Sequence, residues 1–333
     1  MKTIVVVALA AMLCVGGARG ASAWGHDGHR VVGAIADILL EQHLATKAKL
    51  RKILGASLSE AATWADCAKG VNYCHRPPSR REVAYTDANP HNRMYHYTDV
   101  PAQQTGYVLG AAGTKPDDIV QVSQYAIGIL LGTVRKADGP ATLRKDEAIW
   151  LLAHLVGDIH QPLHVGALYF DSACAKPVDP NIVGKAPDFG IGTAIVETTG
   201  GNDIVLPKGE VNLHHYWDDI AVLAAARLPA GGTLNVRAFA RQLATHPPAG
   251  TATSGAPATW PVAWANEALP LARRALEDIA IRDATPVHGS ALKCRWYGSH
   301  DAAYVDWAAQ RATEQLAKAG HRLAALMVAV LGP

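Results

Sequence analysis

Two segments of the 333-residue chain place a histidine four residues before an aspartate: His154 and Asp158 in HLVGDIHQPLH, His214 and Asp218 in NLHHYWD. On an α-helix, residues four apart lie on one face. Each pair therefore points an imidazole and a carboxylate the same way, a donor set that suits Zn²⁺, with Ni²⁺, Mn²⁺ or Fe as weaker fits. His164 lies beyond Pro162, where the chain turns, and can reach a neighbouring position. His160 falls roughly 160° round the helix from Asp158 and is expected outside the cluster. Three further segments carry the same residue types: WGHDGH at 24–29, WAD at 64–66 and YHYTD at 95–99. One such pair is more often a hydrogen-bonded or solvated pair than a metal site. Two independent pairs, with a further His after a proline turn, favour metal over that bland reading.

The elements that must position these residues read as helical. Apolar residues recur at helical spacing over 30–54, 117–135, 144–160, 213–228, 234–245, 258–281 and 301–330. Pro162 should help end the helix of residues 144–160. The period disappears between 165 and 210. There, residues 194–197 (AIVE) and 203–206 (DIVL) flank Gly200-Gly201 and are expected to pair as a small β-hairpin. The expectation is an all-α, single-domain bundle with long loops over residues 24–333.

Composition narrows the partners. The chain holds 31 Lys+Arg against 29 Asp+Glu, a formal net charge of +2, and 49% hydrophobic residues. This excludes a histone-like basic protein and a disordered chain. The 15 His are numerous beside 3 Phe, and His is the residue of metal ligation and proton transfer. Met1-Lys2, the apolar run from Thr3 to Val15 and Ala21-Ser22-Ala23 read as a cleaved signal peptide over 1–23, so the mature chain is expected to begin at Trp24. The alternative, a membrane anchor, is disfavoured because a spanning helix needs about 20 apolar residues. Removing Lys2 and Arg19 with that segment brings the net charge from +2 to zero. The product reads as secreted or periplasmic, without stable membrane association, and as a monomer. Four cysteines then remain, Cys67, Cys74, Cys174 and Cys294, an even number that reads as two disulfides. Three connectivities are open. One short loop, Cys67–Cys74, and one long, Cys174–Cys294, is the favoured pairing, with buried thiols as the alternative.

Taken together, WGHDGH, WADCAK (64–69), YHYTD, HLVGDIHQPLH, GGND (200–203) and NLHHYWD resemble the zinc-dependent S1/P1 nuclease family, which shares its helical fold with the zinc phospholipases C. The motifs stand in the family's order and cover about the first two-thirds of the chain after residue 23; the last third is helical with no matching motif. The resemblance implies three Zn²⁺. One would be held by Asp66, His96, His154 and Asp158. A second would share Asp158 and take His29 with the Trp24 amine and carbonyl. A third would take His164, His214 and Asp218. It further implies hydrolysis of single-stranded RNA and DNA to 5′-mononucleotides, with 3′-nucleotides as further substrates, by a zinc-bridging hydroxide attacking phosphorus. Asp66, Asp158 and a charge-neutralising Lys69 would be catalytic, Tyr97 would stack on a base, and Asp99 would hydrogen-bond it. Two other functions stay open: a phospholipase C-like lipid phosphodiesterase, and a non-catalytic zinc-binding protein.

Overall fold

The computed structural model describes residues 24–70, 73–74, 76–135, 138–183, 195–207, 211–287 and 293–332. The proposed signal segment 1–23 lies outside the described residues, as do Ala194 and Pro333. The chain opens with α1 (Gly25–Leu39), α2 (Leu44–Leu54), α3 (Leu58–Ala61), α4 (Trp64–Ala68) and α5 (Arg80–Ala88). The two central helices follow, α6 (Ile119–Leu131) and α7 (Lys145–Asp158), and then the short α8 (Pro180–Val183). Next come α9 (Leu213–His215), α10 (Ala221–Ala225) and α11 (Val236–Ala244), and the chain closes with α12 (Trp260–Glu277) and α13 (Ala302–Leu331).

Helix α7 is apolar around most of its circumference, and every residue from Leu151 to Asp158 is buried. A helix of that kind must sit inside the bundle. It packs against α1, α3, α4, α6 and α13, so His154 and Asp158 are delivered to the core rather than to a surface face. Helix α1 presents Val31, Val32, Ile35 and Ala36 to the same core. Gly33 lets α3 approach it: a Cβ there would lie 2.3 Å from the Leu58 carbonyl oxygen. Among the described residues no helix is long and apolar enough to cross a membrane.

Short strands fix the loops that carry the remaining candidates. β1 (Val100–Pro101) pairs in parallel with β2 (Gly166–Ala167), and the Thr98 amide donates to the His164 carbonyl at 2.9 Å. The YHYTD segment and His164 are thereby locked side by side. β3 (Tyr169–Asp171) pairs antiparallel with β4 (Ile195–Glu197), Tyr169 opposite Glu197. β5 (Ile204–Val205) runs parallel to β7 (Lys293–Ser299), which pairs antiparallel with β6 (Ala280–Val287). Disulfides join Cys67 to Cys74 and Cys174 to Cys294.

Three expectations need correction. The hairpin over 194–206 does not form: β4 pairs with β3, and β5 with β7. The cause is the turn itself. Thr199, Gly200 and Gly201 are all left-handed, and both Gly201 and Asp203 donate to Thr198 O, coiling the segment and sending its two flanks apart. The last third is not wholly helical, because β6 and β7 form a hairpin there, and the helical period read to residue 281 stops at Glu277. The stretch 213–228 is three pieces, with a π-helical turn over Tyr216–Ile220 between α9 and α10. Single π turns of this type often occur at functional sites, and this one contains Asp218.

Candidate metal centre

Asp158 is fully buried at the C-terminal end of α7, among three imidazoles. Its Oδ1 lies 3.1 Å from His29 Nε2, and its Oδ2 lies 2.9 Å from His96 Nδ1 and 3.1 Å from His154 Nε2. His29 comes from α1, and its ring stacks on that of His154 with centroids 3.7 Å apart. Asp66, on α4, brings its Oδ1 to 3.5 Å from His154 Nε2 and 3.9 Å from His96 Nδ1, and pairs with the Lys69 ammonium. Beside this cluster, His164 Nε2 and His214 Nε2 face each other at 2.9 Å, with Asp218 Oδ2 3.7 Å from His214 Nε2. The ligand atoms fall into three groups: His29, His154 and Asp158; Asp66, His96 and His154; and His164, His214 and Asp218. Trp24 sits at their edge, its backbone nitrogen 3.1 Å from Asp218 Oδ1 and its indole donating to Gly157 O at 2.8 Å.

The outer hydrogen bonds tell what the inner atoms are for. His164 Nδ1 faces the His96 carbonyl at 2.7 Å, His214 Nδ1 the Gly200 carbonyl at 2.8 Å, and His154 Nδ1 the Ala62 carbonyl at 2.6 Å. A carbonyl only accepts, so each Nδ1 carries the hydrogen, and in a neutral ring Nε2 is left with its lone pair. Two such lone pairs 2.9 Å apart repel unless a cation lies between them. Metal-bound His rings are held in this way, the outer N–H on a carbonyl and the inner nitrogen on the ion. Gly200 makes the His214 contact possible. It is left-handed (φ 54°), and a Cβ there would lie 2.2 Å from Leu163 O and 3.3 Å from His214 Nδ1.

The electrostatics point the same way for His29, His96 and His214, whereas at His154 burial is outweighed by Asp158 and Asp66, which push it up. Burial, reinforced by neighbouring His154, pushes His29 down to about 4. Burial, then the Lys69 charge, pushes His96 to about 3; burial, then His164, does the same to His214. These rings are therefore neutral at physiological pH, the form that ligates. Burial would raise Asp66, but Lys69 and the imidazoles outweigh it and hold the carboxyl well below its usual range. Asp158 is held down likewise, with His154 the largest opposing influence to burial. Asp218 goes the other way. Its burial dominates, and nearby carboxylates add to the upward push against the hydrogen bond from Gln161. Its Oδ2 is buried with no hydrogen-bond donor among the described residues. A buried carboxylate oxygen in that condition is costly, and a cation beside His164 and His214 would relieve it. The donor set, all nitrogen and carboxylate oxygen, fits zinc.

A cavity of about 270 Å³ opens onto the centre, lined in part by Lys69, Tyr97, Asp99, His164, Asn202 and His214. A larger cavity, about 950 Å³ beside Arg30 and Arg51, is lined by none of these groups. Chemistry, not volume, identifies the site. Tyr97 is half-buried with Lys115 over its ring at 5.9 Å. Burial first, then Glu197, pushes the Asp99 carboxyl well above its usual range. His160 points elsewhere, toward Val156 O at 2.7 Å and Arg322 at 2.9 Å. Sequence reasoning missed Gln161, whose amide donates to Asp218 Oδ1 at 2.8 Å while its own oxygen accepts from Leu163 N. Its place inside HQPLH was the available signal. It also missed Tyr73, Arg93, Lys115 and Glu197, for which no spacing rule exists.

The chain is similar to several known nucleases. Nuclease S1 of Aspergillus oryzae is 29% identical over 208 residues, 59% of this chain and 53% of its own. Endonuclease 4 of Arabidopsis thaliana is 26% identical over 217 residues, 63% of this chain and 58% of its own. Endonuclease 5 of the same plant is 24% identical over 218 residues, 62% and 59% of the two chains. The matched region thus spans a little over half the length of these relatives. The family model described as S1/P1 nuclease matches residues 24–332, beginning at Trp24 and covering every described element. By that match, the chain is a member of the S1/P1 nuclease family.

Proposed function

We propose that the protein is an exported, zinc-dependent phosphodiesterase that cleaves single-stranded RNA and DNA to 5′-mononucleotides and also hydrolyses 3′-nucleotides. The observation that carries this reading is the pair of Nε2 lone pairs on His164 and His214, 2.9 Å apart, beside a second cluster built on Asp158. Three Zn²⁺ would be held by the chain's own groups: Asp66, His96, His154 and Asp158; His29, Asp158 and the Trp24 terminus; and His164, His214 and Asp218. Bound zinc supplies a Lewis acid and acidifies water toward neutral pH.

The chain's residues do the rest. Asp158 offers one oxygen to each side of the larger cluster. Lys69, buried beside Asp66, holds a fixed positive charge where a phosphorane-like transition state gains negative charge. Tyr97 offers a ring face to a base, a contact that tolerates any base and contributes roughly 1–3 kcal/mol. Asp99, its carboxyl held toward the protonated form by burial and Glu197, offers a hydrogen-bonding group to the base edge. Such a pocket accepts a base only out of a duplex, which favours single strands. Ligation by the Trp24 nitrogen requires a free amine, so removal of residues 1–23 would be a condition of activity and ties the enzyme to export. The two disulfides suit an oxidising compartment.

Side-by-side assays on single-stranded DNA and phosphatidylcholine test the substrate class. The expected result is at least about a hundredfold preference in turnover for DNA, a difference of about 2.7 kcal/mol in barrier, and loss of that turnover on chelation. Turnover of phosphatidylcholine alone would place the site with lipid phosphodiesterases. Bound zinc with no turnover of either would make it a zinc-binding protein.

A further inference from the structure

We propose that the cleft beside Arg30 and Arg51 binds a single-chain anionic amphiphile, an acyl chain that carries one carboxylate or phosphate head. The cleft holds about 950 Å³, within the range of small-molecule sites, and none of the metal-centre residues lines it. The proposal therefore stands apart from the phosphodiesterase reading.

Helices α1, α2, α3 and α11 all contribute to its walls. Ala34 and Ile38 stand four residues apart on α1, as do Leu50 and Leu54 on α2, so each helix turns an aliphatic row toward the cleft. Ala34, Ile38 and the neighbouring Val236 of α11 are only half-buried and keep apolar surface for a ligand. None of the lining residues is aromatic. A nucleobase would find no ring to stack on, whereas a hydrocarbon chain needs only aliphatic surface to cover. Five cationic side chains and three carboxylates also line the cleft. The carboxylates are already engaged. Asp37 accepts from the Leu58 and Ser59 amides at 3.0 Å each, Glu60 from the Ser57 amide and hydroxyl at 2.9 Å each, and Glu41 pairs with Lys47. Arg30 lies 3.7 Å from Asp27. Arg51, Arg237 and Arg241 are exposed, and among the described residues none of the three has a carboxylate within ion-pair distance. Arg237 and Arg241 stand four apart on α11 and so share a face. A guanidinium binds a carboxylate or phosphate through two parallel N–H bonds. Aliphatic rows beside free arginines thus match the two halves of an anionic amphiphile. A polynucleotide would use the arginines and leave the aliphatic rows idle.

The test follows displacement of fluorescent dansylundecanoate from the protein by dodecanoate, dodecyl phosphate, butanoate and dodecanol, all below their micelle concentrations. Dodecanoate and dodecyl phosphate should each compete at least about tenfold better than butanoate, which lacks the chain, and than dodecanol, which lacks the charge. Arg237→Gln combined with Arg241→Gln should weaken dodecanoate at least about tenfold and leave dodecanol unchanged. Arg237→Lys combined with Arg241→Lys should restore much of the loss. Equal competition by butanoate and dodecanoate would overturn the proposal, as would a glutamine double variant that binds dodecanoate like the wild type. Binding to phosphatidylglycerol vesicles with none to monomeric dodecanoate would make the cleft a membrane-docking face and overturn it too. Loss of turnover in the double variant on long single strands but not on short ones, with dodecanoate binding unchanged, would make it a strand-binding surface and equally overturn it. If the double variant does not fold, Arg51→Gln decides through the same displacement: a loss of at least about threefold is expected, and an unchanged value would overturn the proposal.

Discussion

Asp158→Asn is expected to lower hydrolysis of single-stranded DNA at least about a thousandfold, about 4 kcal/mol in barrier, and to remove more than one metal ion per chain. Both effects come from one geometry. The carboxylate is fully buried, with Oδ1 3.1 Å from His29 Nε2 and Oδ2 2.9 Å from His96 Nδ1 and 3.1 Å from His154 Nε2. Its two oxygens thus serve the two halves of one cluster. The amide is neutral and replaces one acceptor oxygen with an N–H donor, so both halves lose their shared anion at once. Metal analysis of the folded variant beside its turnover checks this. Asp278→Asn, which disturbs an exposed pair with Arg274, serves as the control. Loss of a single ion with most activity retained would refute the shared role of Asp158.

The second large effect concerns the first residue of the family match. A protein beginning at Trp24 is expected to be active, and the same protein with one extra alanine before Trp24 to lose at least about a hundredfold, above the 10–100-fold typical of losing an outer-sphere partner. The Trp24 side chain is completely buried, and its indole hydrogen bond to Gly157 O at 2.8 Å pins it beside α7. Its backbone nitrogen is 3.1 Å from Asp218 Oδ1, inside the polar centre. In an amide that nitrogen has no available lone pair; as a terminal amine it can lose its proton and ligate. N-terminal acetylation would remove the amine in the same way, so acetylating the terminus in vitro is an independent check. Equal turnover and equal zinc in the two forms would leave Trp24 with a packing role only.

What the sequence disclosed depended on the physical range of each signal. The i,i+4 pairs His154–Asp158 and His214–Asp218 are local and chemically distinctive, and the structure brings both to one centre. Helices such as α1, α6, α7 and α13 were legible because their apolar stripes repeat over three turns or more. The 194–206 segment misled because local alternation and a Gly-Gly turn do not say which edge a strand finds. Val196 finds Phe170 and Ile204 finds Trp296, partners 26 and 92 residues away. The β6–β7 hairpin was missed because β6 is mostly exposed, and β7, though it alternates between exposed and buried residues, is only seven residues long. Gln161, Tyr73 and Arg93 were missed for the same reason in the site: their meaning lies in tertiary neighbours, not in spacing. Of the 15 His, five stand at the centre as ligand candidates, while His160 serves the Arg322 network instead.

The central claim is a multi-zinc phosphodiesterase built on these five histidines, Asp66, Asp158 and Asp218. The most direct measurement is the metal content of the protein beginning at Trp24, taken together with its products from single-stranded RNA. The account predicts three zinc ions per chain, 5′-mononucleotides as products, and loss of both on chelation with recovery on adding zinc. A folded protein that holds no zinc, or one whose RNA hydrolysis is unchanged when the metal is stripped, would contradict it.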